Sequence, residues 1–127
     1  MTSTVDDRLA KGVAALARGD WTGARGHFEA SLDREETPAA LEGLSDALFW
    51  LEEIVPSIEQ RTRACLIYQE GGDACRAARA ALWLAMSYFS ALGNGAAGNG
   101  WLQRAERLLE DTGPCAERGW LVQLRAR

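Results

Sequence analysis

The sequence is poor in the residues that do chemistry. It has one histidine, three cysteines and three prolines in 127 residues, and its 14 basic residues are outnumbered by 18 acidic ones. His27 stands at the edge of an apolar stripe beside Phe28, and no serine or cysteine nucleophile motif accompanies it. It therefore reads as a structural or solvated side chain rather than a general base. Cys65, Cys75 and Cys115 are odd in number and contain no Cys-x-x-Cys pair. That pattern suits neither a disulfide framework nor a metal site, and it fits a reducing cytoplasm. Long hydrophobic runs are missing too. The longest nearly uncharged stretch, 80–100, is convincingly apolar only as far as Leu92, which is too short to span a bilayer. Residues 1–7 are polar and do not resemble a secretory signal. A net charge of −4 disfavours contact with nucleic acid backbones and anionic membranes. These scarcities predict a cytoplasmic chain with no metal, no cofactor, no membrane association and no direct nucleic acid binding. The composition, 47% hydrophobic and 25% charged, excludes wholesale disorder and suits a single domain, 1–127. The last residues, Leu-Arg-Ala-Arg, stop in mid-pattern, so a piece of a longer protein is an expectation as well.

What is abundant is helix-forming. Ala, Leu, Arg and Glu dominate, and no segment alternates polar and apolar residues as a half-buried strand does. Turn signals divide the chain into about seven helices. Val5, Leu9, Val13 and Leu16 form a first stripe, and Trp21, Ala24, Phe28 and Leu32 a second, separated by a stop at Gly19 and a cap at Asp20. Thr37-Pro38 marks a third start, followed by Leu41, Leu44, Leu48 and Leu51. Pro56 opens a fourth helix with Ile58, Thr62, Cys65 and Leu66 inward, ended by Gly71-Gly72-Asp73. The fifth, about 74–92, is apolar nearly all round, which predicts a central helix with Trp83 and Leu84 both buried. The stretch 93–100 reads as a flexible connection. Its Gly95-x-x-Gly98-x-Gly100 pattern follows a helix and not a strand, so it is not a phosphate loop. Trp101, Leu102, Ala105, Leu108 and Leu109 make a sixth stripe; Gly113-Pro114 stops it, and Trp120, Leu121 and Leu124 begin a seventh.

Serial helix pairs invite a search for a period. Gly12, Ala24 and Phe28 stand 12 and 4 residues apart, small residues where backbones approach and an aromatic one turn later. This first unit resembles a tetratricopeptide repeat. Ser45 and Ser57 repeat the small–small spacing of 12, with Arg61 in the aromatic's place, and Ala85 occupies the small position of a third unit. The stretches beginning Glu36-Thr37-Pro38, Ala78-Arg79-Ala80 and Asn99-Gly100-Trp101 add a narrower likeness. Together they are similar to the tetratricopeptide-like region of actinobacterial transcriptional regulators that end in a LuxR-type helix-turn-helix. Leu51-Glu52-Glu53 departs from that likeness, which has a Leu-Gly-Asp turn there. The resemblance implies an all-α fold, a short right-handed solenoid of helix pairs over about 5–37, 38–73 and 74–113, closed by a helix over 114–127. It also implies a regulatory or scaffolding role, without DNA binding by this chain.

On that frame Glu42, Asp46, Phe49 and Trp50, with Arg79, Leu82, Met86 and Phe89 of the third unit, fall on the side lining a solenoid's inner groove. Acidic residues one turn apart, beside an aromatic and facing an arginine, suit a protein or peptide segment or a small basic effector. No catalytic motif survives this reading, so a non-enzymatic sensor or interaction module is expected. The alternative is a homodimer formed through exposed aromatics.

Overall fold

The computed structural model describes the backbone of residues 4–110, Thr112 and Cys115, with side chains from Asp7 onward. The Val5 side chain, the Gly113-Pro114 stop and the closing helix with Trp120, Leu121 and Leu124 lie outside the described residues. The protein is all-α, and no strand occurs among the described residues. Among the described residues six helices follow in order: α1 (Thr4–Ala17), α2 (Trp21–Arg34), α3 (Pro38–Trp50), α4 (Ile54–Glu70), α5 (Ala74–Ser90) and α6 (Gly95–Leu109). None is long and apolar enough to cross a membrane.

Local chemistry sets most of the boundaries. Asp20, Thr37, Asp73 and Asn94 each accept a hydrogen bond from the backbone N–H three residues on, at 3.0–3.3 Å, and so cap α2, α3, α5 and α6. Three helix ends close alike. The N–H groups of Gly19, Glu52 and Gly72 bond back to Leu16, Phe49 and Gln69, and the next residue's N–H reaches one carbonyl further. That closure needs a left-handed residue, supplied by Gly19 at φ +78° and Gly72 at φ +81°. At the second turn Glu52 takes it, at φ +65°. This is where the sequence departs from the expected Leu-Gly-Asp.

The chain forms two compact units, Met1–Ala64 and Cys65–Arg127, divided within α4. In the amino-terminal unit α1, α2 and α3 pack around Ala15, Ala24, Phe28, Leu44, Ala47 and Leu48. The Phe28 ring sits between two glycines. A Cβ on Gly12 would lie 2.6 Å from it, and one on Gly43 closer still. In the carboxy-terminal unit the core is mostly alanine, with Tyr68, Leu82, Leu102 and Leu109, so that α5 and α6 approach closely.

Two expectations need correction here. Residues 95–100 are the first turns of α6 and not a flexible connection. Asn94 caps that helix, and Gly98 is buried under Phe89, where a Cβ would lie 2.7 Å from the ring. Three glycines in six residues hid the helix, because each is a poor helix former. Trp83 is half-buried, whereas Leu84 is fully buried as expected, and Met86 and Phe89 look outward. The helix is therefore apolar all round in composition but not in burial.

Candidate functional site

The eight expected contact residues divide four and four between the compact units, and each set is described within its own unit. In the amino-terminal unit the Ser45–Ser57 spacing of 12 places two small residues back to back where α3 meets α4. The Ser45 hydroxyl donates to the Ser57 carbonyl at 2.8 Å, the Ser57 hydroxyl donates to the Ser45 carbonyl at 2.7 Å, and the two oxygens are 3.1 Å apart. With the helices so close, Arg61, one turn beyond Ser57, is carried onto the face of α3. Its Nε donates to Ser45 Oγ at 3.2 Å, its Nη1 to Glu42 Oε2 at 3.1 Å, and its Nη2 to Asp46 Oδ1. The Arg61 side chain is 6% exposed and that of Glu42 11%, while Asp46 remains 42% exposed.

This changes what the two acids can do. Glu42 is a buried partner of Arg61 and is not open to a ligand. Burying such charges costs several kcal/mol per ion unless geometry and hydrogen bonds compensate, and here Arg61 donates to three acceptors. The solvent-facing member of the cluster is Asp46. Trp50, four residues on, shares that side of α3. It is 58% exposed, an uncommon position for the largest apolar side chain. Its ring is nevertheless held, stacked on Trp21 at 5.3 Å between centroids with 13° between planes, and met edge-on by Phe49 at 5.7 Å. Nearby, Arg25 of α2 donates to Glu53 at 2.6 Å, beside the turn that follows Trp50.

In the carboxy-terminal unit Leu82 is 2% exposed and belongs to the core, so it offers no surface to a ligand. Arg79 is half-buried on α5. Met86, at 47%, and Phe89 are exposed, the latter covering Gly98. His27 is half-buried on α2. Among the described residues no group of three or more His, Cys, Asp or Glu side chains is placed to hold a metal ion. Sequence reasoning missed Arg61 and Trp21 as partners of the expected set. The first could have been found from the i, i+4 spacing of Ser57 and Arg61, which puts both on the same face of α4. The second follows from the antiparallel pairing of α2 and α3, which brings the start of one beside the end of the other. No protein-family model matches the chain, and no curated protein matches it.

Proposed function

We propose that this chain is a non-enzymatic, tetratricopeptide-like interaction module, the regulatory part of a transcriptional regulator, and that it holds a basic group of a peptide segment or small effector at Trp50. The observation that supports this most is the outward, pinned Trp50 ring beside the half-exposed Asp46 carboxylate. A ring face attracts a cation by its quadrupole, and a carboxylate on the same side adds charge where water is partly excluded. Because Trp21 and Phe49 already hold the ring, little side-chain freedom is lost on binding.

Titration of the full chain with short Lys/Arg-rich peptides and with acetyl-arginine amide, read by fluorescence anisotropy or chemical shift, tests this reading. Basic ligands bind, acidic peptides of equal length do not, and Trp50→Ala weakens binding by about tenfold or more, as interface tryptophans do. Asp46→Asn weakens it less. Equal binding by wild type and Trp50→Ala contradicts the proposal. A homodimer is the second reading, favoured by the exposed Met86, Phe89 and Leu92 of α5 and its following turn. Conversion of a dimer to monomer by Met86→Lys or Phe89→Lys would support it instead.

A further inference from the structure

We propose that the carboxy-terminal unit carries a binding site for a small organic phosphate, in the open pocket of about 330 Å³ lined by Gln69, Arg104, Arg107 and Leu108. The site is independent of the Trp50 reading and lies wholly within its own unit. Helical spacing assembles it. Arg104, Arg107 and Leu108 stand at i, i+3 and i+4 on α6 and so share one face, and Gln69 joins them from the last turn of α4.

The Arg104 guanidinium is fixed from two directions. Its carbon lies 5.1 Å from the centroid of the Trp101 ring, and its Nη2 donates to Gln69 Oε1 at 2.9 Å. A guanidinium has five N–H donors in a rigid fork, so donors remain for a ligand once one is used on Gln69. Orienting the fork in advance also lowers the entropy lost when a ligand arrives. Among the described residues Arg18, Arg25, Arg61, Arg63 and Arg76 are each ion-paired with a carboxylate, whereas Arg104 and Arg107, like Arg8 and Arg34, are not. What distinguishes Arg104 and Arg107 is that the two guanidiniums share one pocket wall in a chain of net charge −4. Arg107 stands exposed in the last turn of α6, where a cation also suits the helix dipole, and its guanidinium is open to solvent beside that of Arg104.

The ligand class follows from charge and size. Two guanidiniums one turn apart suit a dianion with several acceptor oxygens, which a phosphate monoester is near neutral pH and a carboxylate is not. The volume is at the low end for small-molecule sites, and Leu108 gives an apolar wall for the organic part. A nucleic acid strand is the poorer fit, since the chain's overall negative charge opposes a long polyanion.

The test is titration of the full chain with phenyl phosphate at constant ionic strength, following the arginine Nε and glutamine side-chain resonances. Saturable shifts of the Arg104 and Gln69 signals are expected, with benzoate weaker by about tenfold or more and Arg107→Gln weakening phenyl phosphate by about the same factor. Arg107 is exposed, so its replacement leaves the amide spectrum of the fold in place as an internal control. The proposal is overturned if wild type shows no saturable shift, or if Arg107→Gln binds as tightly as wild type. Benzoate binding as tightly as phenyl phosphate overturns it too, because the pocket would then be an unselective anion patch.

Discussion

The two compact units solve the same problem, bringing paired helices close, with opposite chemistry. The carboxy-terminal unit does it mostly with alanine, beside Tyr68, Leu82, Leu102, Leu109 and the Cys65 thiol, which donates to the Ala77 carbonyl at 3.3 Å. The amino-terminal unit uses glycine around Phe28 and serine at the α3–α4 contact, then places a charged cluster on top of the serines. An alanine contact has little to say about which neighbour it meets. A reciprocal serine pair topped by an arginine that must find two carboxylates specifies register, as buried polar groups do in some helical assemblies. The cluster also sets the position of Asp46, and Trp50 lies one turn further along the same helix.

Four substitutions probe this contrast, taken from the largest expected effect. Arg61→Ala removes the guanidinium from beside buried Glu42 and should cost about 3–5 kcal/mol, as loss of one partner of a buried pair does. Urea unfolding followed by far-UV circular dichroism measures it; a cost under about 1 kcal/mol would mean that the cluster is as replaceable as a surface ion pair. Next, the same change in the two units should differ in cost. Gly43→Ala drives a methyl into Phe28, which is 1% exposed and clamped from the other side by Gly12, and should cost about 1–3 kcal/mol. Gly98→Ala meets Phe89, which is 37% exposed and can swing aside, while the helix gains about 1 kcal/mol from replacing glycine. Melting both variants in parallel checks the difference, and an equal cost for the two would remove it. The smallest effect is a gain. Glu52→Gly relieves a left-handed non-glycine worth about 1–2 kcal/mol, less the backbone entropy of glycine at about 0.5–1 kcal/mol. The melting temperature should rise slightly; a fall would show that the Glu52 side chain contributes more than its backbone costs.

What could be read from the sequence was local. Thr37-Pro38 and Asp20 announce helix starts because a cap acts within three residues, and the stripes of α2, α3 and α6 follow from a 3.6-residue period. The Ser45–Ser57 spacing of 12 was legible as two small residues on facing helices. The partners were not. Arg61 reaches residues 15 to 19 positions earlier, and only the closeness enforced by the serines brings it there. Without that contact Glu42 looked like a surface acid available to a ligand. Gly95, Gly98 and Gly100 looked like a loop because propensity favours that reading, and packing under Phe89 overrides it at Gly98. Trp50 falls off the Leu41, Leu44, Leu48 and Leu51 stripe and is exposed; its stack on Trp21 depends on how α2 and α3 align, which no short-range pattern encodes.

The most direct test of the Trp50 surface as a recognition site is native mass spectrometry of wild type and Trp50→Ala, each purified from the protein's own host. The account predicts a reproducible bound mass on wild type, absent from Trp50→Ala, with the same number of chains in both. A bare wild type whose dimer falls to monomer in the variant would contradict it and make the stacked tryptophans an assembly contact.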